Sequence, residues 1–165
     1  MTISSIDIGT NTILLLVAEA DSKTRSIKTL VNEYRIPRIG KGLLQGKPVS
    51  LEKITALYNV LSEYKKIAEE YNSEKIIITA TNAFRIASNA NEIIRAIEDD
   101  LGFEINVVSG KDEAELAFLG AVGEFNDGLT NMVIDIGGGS TEIITGIQGR
   151  ITFSNSFQMG VVSGT

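Results

Sequence analysis

The 165 residues include no cysteine and no histidine, and their formal charge is −6. That excludes a disulfide frame, a thiolate nucleophile, a zinc–thiolate site and the imidazole that most often serves as general base or zinc ligand. The acidic balance argues weakly against a nucleic-acid partner, which demands a basic surface; with no imidazole or thiol, acid–base chemistry must rest on carboxylates, Lys, Tyr or metal-bound water. No signal peptide opens the chain and no apolar run approaches the ~18 residues of a membrane span, so a cytosolic protein with no membrane partner is expected.

Residues 3–9 read as a strand ending at Gly9, and the apolar run 12–19 as a buried second strand. Asp21-Ser22-Lys23 is a turn, and residues 26–35 form a third strand, giving a meander whose first hairpin is the glycine loop. A flexible loop follows, with Arg35, Arg38, Lys41 and Lys47 as its four basic residues. Ser50 caps a long helix whose apolar positions, among them Tyr58, Tyr64 and Tyr71, keep i, i+3, i+4 spacing and read as a core stripe. Residues 75–80 read as a central strand. Asn91 caps a helix over 92–101 ended by Gly102, and residues 103–108 form another strand. Ser109-Gly110-Lys111-Asp112 has the form of a capping box opening a helix through about Gly123. Strands over 131–136, 141–147 and 150–157 then repeat the opening meander.

The repeat is close. Ile6-Asp7-Ile8-Gly9-Thr10-Asn11-Thr12 and Ile134-Asp135-Ile136-Gly137-Gly138-Gly139-Ser140-Thr141-Glu142 each read as a buried strand ending in Asp, then a glycine turn with small hydroxyl residues. A carboxylate at such a turn can hold a hard cation or a water, and bare backbone amides can approach phosphate oxygens with no Cβ in the way. Two such loops facing each other would grip a phosphate chain. The order βββαβα, with a further strand and helix before the second meander, predicts an α/β protein. The expected architecture is a ribonuclease-H-like (actin-like ATPase) lobe over 1–123 with the start of a second, truncated lobe over 124–165.

Five segments in order resemble the exopolyphosphatase and guanosine pentaphosphate phosphatase (Ppx/GppA) family, within the actin, sugar-kinase and heat-shock-chaperone superfamily. They are Asp7 to Thr12, Arg38-Ile39-Gly40-Lys41-Gly42-Leu43, Ala80-Thr81-Asn82-Ala83-Phe84-Arg85, Ser109 to Ala114, and Asp135 to Glu142. One departure stands out: Glu115 occupies a position where that family often has Arg. The resemblance implies that Glu113 is the general base that deprotonates an attacking water; its plain alternative is helix-dipole and capping support. Asp135 and Glu142 are read as carboxylates for Mg²⁺, against a turn-stabilising Asp and a solvated Glu. Asp7 is the matching carboxylate of the first loop, nearer to water or metal. Gly9, Thr10 and Asn11, and Gly137, Gly138, Gly139 and Ser140, are read as phosphate-binding loops. Arg85 would neutralise charge in the transition state, and Arg38 and Lys41 would guide the distal chain.

The implied function is Mg²⁺-dependent release of terminal orthophosphate from inorganic polyphosphate, guanosine pentaphosphate or both, by in-line attack of water. A homodimer is allowed for the full-length protein. A polyphosphate or nucleotide sensor, a kinase of the same superfamily, and an actin-like assembly protein are the alternatives.

Overall fold

The structure of the chain is a computed structural model describing residues 1–24, 26–122 and 128–161. Its elements are β1 (Thr2–Ile8), β2 (Ile13–Asp21), β3 (Ser26–Arg35), α1 (Leu51–Glu70), β4 (Lys75–Ala80), α2 (Asn82–Ile86), α3 (Ala90–Leu101), β5 (Ile105–Val107), α4 (Gly110–Val122), β6 (Thr130–Ile136), β7 (Thr141–Ile147) and β8 (Arg150–Phe157). The chain divides into two compact units, Met1–Val107 and Val108–Thr165. The boundary expected between 123 and 124 falls among residues outside the described ones. The division after Val107 groups α4 with the second sheet, because Ala114, Phe118 and Val122 bury their side chains with Ile144.

In the first unit the sheet order is β3-β2-β1-β4-β5, antiparallel among β1, β2 and β3 and parallel from β1 through β4 to β5. This is the ribonuclease-H-like arrangement expected from the element order. Side chains alternate across a strand, so β1 and β2 put Ile6, Ile8, Ile13, Leu15 and Val17 on one face, all fully buried. Leu57, Leu61, Tyr64 and Ala68 project from one side of α1 and are equally buried. Tyr64 donates its hydroxyl to the Ile13 carbonyl at 3.1 Å, and burial pushes that hydroxyl's pKa up to about 12. Tyr64→Phe is expected to cost about 1 kcal/mol for the lost hydrogen bond. Tyr64→Ala should cost about 3–5 kcal/mol for the cavity; chemical denaturation of the two variants checks the ratio.

Local details depart from expectation. Tyr71 ends α1 as its C-cap and is 41% exposed, so it lies off the core stripe. The N-cap of α3 is Asn89 rather than Asn91. Asn89 takes that place while its amide accepts from Val49 N–H at 2.9 Å and donates to Val49 O at 3.0 Å. Gly102 does end α3, in the left-handed conformation. Among the described residues, no helix is long and apolar enough to cross a membrane.

The second unit is the meander β6-β7-β8 with α4 on one face. Gln148 and Gly149, both at positive φ, make the two-residue turn between β7 and β8. The repeat seen in sequence is a repeat of backbone. Gly9 N–H donates to Thr12 O at 3.0 Å, and Gly137 N–H to Ser140 O at 2.9 Å. The register of each meander slips at the same place, between Val17 and Ala18 and between Thr145 and Gly146.

Within these 165 residues the helices cover opposite faces of the two meanders. In the first, the covered face carries Ile6 and Ile8, while Leu14, opposite Asp7, is 45% exposed. In the second, Ile134 and Ile136 are exposed, and the covered face carries Val133, Asp135, Glu142 and Ile144. The expectation of a buried strand before Asp135 is corrected to that extent. The reason is where the helix sits: α4 packs on the aspartate's face.

Candidate functional site

In the first unit, β1 and β4 end side by side, with Asp7 beside Thr79 and Ile8 beside Ala80. The carboxyl ends of parallel strands are where open α/β sheets bind ligands. Asp7, with its Oδ1 shielded from solvent, lies at this edge, followed by Gly9, Thr10 and Asn11. Thr81, the N-cap of α2, donates its N–H to Ile8 O at 3.1 Å, so the short helix carrying Arg85 leaves from the same edge.

The basic loop is not the free arm expected from sequence. Arg38 N–H donates to Asn11 O at 3.0 Å and Gly40 N–H to Thr10 O at 2.8 Å, fastening the loop to the first glycine turn. Further along, Gly46 N–H donates to Ile86 O at 2.8 Å and Ser88 N–H to Lys47 O at 3.1 Å. Lys53 Nζ donates to the Lys41 carbonyl. Arg38 and Lys41 are thereby held next to the Thr10–Asn11 turn. Arg35 is committed elsewhere: it pairs with Glu63 at 2.6 Å and Glu33 at 3.0 Å and lies over the Tyr64 ring.

In the second unit, Asp135 and Glu142 are directly opposed across β6 and β7, so both carboxylates lie on one face. Glu142 is 1% exposed and accepts from Ser156 Oγ at 2.7 Å, which replaces the reading of a solvated Glu. Burial, with the neighbouring Glu142 charge second, holds the Asp135 carboxyl above the usual value of 3.8. The glycine loop continues from the end of β6, with Gly139 and Ser140 buried.

Glu113 lies in the first turn of α4. The expected cap is present: Asp112 N–H donates to Ser109 Oγ at 3.2 Å, and Ser109 Oγ donates to Asp112 Oδ2 at 2.7 Å. A groove of about 480 Å³ is lined by Gly110 and Lys111 together with residues Ile151 to Ser156 of β8. The start of α4 thus borders the strand end whose Ser156 holds Glu142. Glu115 is exposed and borders a second groove with Lys111 and Arg150.

The second unit therefore brings together Asp135, Glu142 and the Gly137–Ser140 loop, under the helix that carries Glu113 in its first turn. The first unit collects Asp7, Gly9, Thr10, Asn11, Arg38, Lys41 and Arg85 at its own edge. Ser156 was missed by sequence reasoning. Among the described residues there is no cluster of three or more His, Asp or Glu side chains suited to a metal. The donor set is instead one pair of opposed carboxylates, one of them buried. That suits Mg²⁺, which takes one or two protein carboxylates and fills its octahedron with waters and substrate oxygens.

A ribonuclease-H-like sheet, with a second meander and glycine loop repeating its opening, defines a protein of the actin-like class. Within that class, the model of the Ppx/GppA phosphatase family matches residues 16–165, and the chain belongs to that family. It is 34% identical over 166 residues to the bifunctional 3-dehydroquinate synthase/phosphatase of Fusobacterium nucleatum, covering 96% of this chain and 25% of that protein. To Exopolyphosphatase 2 of Mycobacterium tuberculosis it is 33% identical over 168 residues, covering 97% and 52%. The crystal structure of an exopolyphosphatase from Cytophaga hutchinsonii superposes with a TM-score of 0.89 at 32% identity, covering 97% of this chain and 51% of that one. The chain thus spans a quarter of the first relative and about half of the other two.

Proposed function

We propose that this chain carries the hydrolytic chemistry of a Mg²⁺-dependent phosphoanhydride hydrolase. Its substrate class is an oligophosphate anion, either inorganic polyphosphate or guanosine pentaphosphate, and its product is terminal orthophosphate. The observation behind the reading is the opposed Asp135–Glu142 pair under α4, with Glu113 in that helix's first turn and the glycine loop at the strand end. The exopolyphosphatase and phosphatase names of the relatives support it.

Glu113 orients a water and accepts its proton as the water oxygen bonds to the terminal phosphorus. The bridging P–O bond opposite breaks, and its electron pair leaves on the shortened chain. Backbone amides of the Gly137–Ser140 loop and the Ser140 hydroxyl donate to phosphoryl oxygens, where charge is spread in the transition state. Asp135 and Glu142 would hold Mg²⁺, which when bound supplies neutralisation of that charge. In the first unit, Thr10 and Asn11 donate to phosphate, Asp7 holds a water, and Arg38, Lys41 and Arg85 offer cations to an extended anion. A cytosolic setting goes with such a substrate.

The test is phosphate release from polyphosphate and from guanosine pentaphosphate, with Mg²⁺ and with chelator. It is run on the 165-residue chain and, where the natural protein is longer, on the complete protein. Release that needs Mg²⁺ is expected, and the faster substrate names the branch. Binding of both anions with release from neither would sink the hydrolase reading.

A further inference from the structure

In each unit, the chain that follows the third strand of the meander returns to the glycine turn and clamps it with backbone hydrogen bonds. In the first, the clamp is Arg38 N–H on Asn11 O and Gly40 N–H on Thr10 O, at 3.0 and 2.8 Å. In the second, Val161 N–H donates to Gly137 O at 3.0 Å, and Thr141 Oγ1 fixes the same segment by donating to Met159 O at 2.5 Å. Both clamps close over a glycine. A Cβ at Gly40 would land on Thr10 Cγ2, with Thr10 Cβ and O at 3.3 Å. A Cβ at Gly160 would stand 2.5 Å from the Gly138 carbonyl carbon and 2.6 Å from the Gly137 and Gly138 oxygens.

We infer that Gly40 and Gly160 are positioning residues that aim the amides of the two phosphate loops. The reason lies in the planar trans peptide, whose C=O and N–H point in opposite directions. Holding the Thr10 carbonyl from behind turns the Asn11 N–H away from the clamp, and holding the Asn11 carbonyl does the same for the Thr12 N–H. In the second loop, the clamped Gly137 carbonyl directs the Gly138 N–H. Amides fixed before the anion arrives need no reorganisation when it binds. This inference rests on the phosphate-loop reading above.

The chemistry of the two collisions differs, and that difference makes the test. At Gly40 the nearest obstacle is a methyl group that Thr10→Ser removes while keeping the hydroxyl. At Gly160 the obstacle is backbone, and no side chain can be trimmed. The variants are Gly40→Ala, Thr10→Ser, the double variant and Gly160→Ala, with inorganic tripolyphosphate as the probe. Amide hydrogen exchange at positions 38 and 40 gives a second readout that needs no ligand.

Gly40→Ala is expected to weaken tripolyphosphate binding roughly tenfold, as overpacking of a filled site does, and to speed exchange at both amides. The double variant should return to within about threefold of Thr10→Ser alone, with protection regained. Gly160→Ala should lose at least as much affinity as Gly40→Ala and leave exchange at positions 38 and 40 unchanged. Binding is measured well below each variant's melting temperature, where almost all of the protein is folded, so a lost affinity that the double variant regains reports the aim of the loop and not a loss of folded protein. Binding by Gly40→Ala equal to wild type, or a double variant no better than Gly40→Ala, overturns the inference and leaves the phosphate reading standing. Wild type that ignores tripolyphosphate removes the phosphate reading and the inference together.

Discussion

Glu113→Gln is expected to lower the rate of phosphate release by about 10²–10⁴, the usual contribution of a positioned base, with KM changed only a few-fold. The amide keeps the shape and hydrogen-bonding reach of the carboxylate but cannot take a proton from water. With no histidine or cysteine in the chain, few other groups can substitute. The competing account is that Glu113 merely supports the start of α4. Losing an acid from a helix N-terminus costs about 0.3–1 kcal/mol, visible as a small fall in melting temperature. Asp112→Asn separates the two accounts, because Asp112 joins Ser109 in the cap of the same helix. It should lower melting temperature at least as much as Glu113→Gln while leaving kcat near wild type. Equal losses of kcat in both variants would assign the effect to the helix start instead of to the base.

The sequence reading succeeded where local pattern and tertiary packing agree. Glycine turns, alternating strands and the i, i+4 stripe of α1 report physical periods, and all three meander strands of each repeat appear within a residue or two. It was less informative about which face each sheet buries. The repeat reads the same in both units, yet α1 covers the isoleucine face of the first while α4 covers the aspartate face of the second. That choice belongs to the helix, and no period in the strand records it. Ser156 was hidden for a more specific reason. Counting back from the Ile147–Arg150 hairpin without a bulge would pair Glu142 with Asn155. The slip between Thr145 and Gly146 moves the register by one residue and brings Ser156 opposite Glu142. The five-residue helix α2 is too short to show a helical period, so Arg85 was legible only as the residue after a buried strand, with a surface or helix-start charge as its plain alternative. Nor could charge alone separate Arg35, spent on Glu63 and Glu33, from Arg38 beside the first phosphate loop.

Asp135→Asn is expected to abolish Mg²⁺-dependent phosphate release while making the metal-free fold more stable at neutral pH. Burial and the opposed Glu142 charge both disfavour ionised Asp135, so its folded pKa lies above the ordinary 3.8 of an unfolded chain. Between those two values the folded state holds a proton that the unfolded state has released. The stabilisation is therefore full below 3.8 and lost as pH rises through the folded value, leaving two like charges opposed at pH 7. Cross-strand pairs are worth about 0.2–1 kcal/mol, so removing this repulsion should raise the melting temperature by up to about 2–4 °C in a chain of this size. The gain should vanish about a unit or more below 3.8, where wild-type Asp135 is itself protonated in both states. Mg²⁺ should do for the wild type what the substitution does, raising its melting temperature at pH 7.5 by preferential binding to the folded pair. It should leave Asp135→Asn almost unmoved. Thermal melts at fixed ionic strength, with Mg²⁺ against an equal ionic strength of NaCl, read all of these together. A lower melting temperature for Asp135→Asn at pH 7.5 without Mg²⁺ would make this carboxylate a structural acceptor. A higher one, joined to lost turnover, would mean that the fold holds two carboxylates together at a cost in stability that a bound cation relieves.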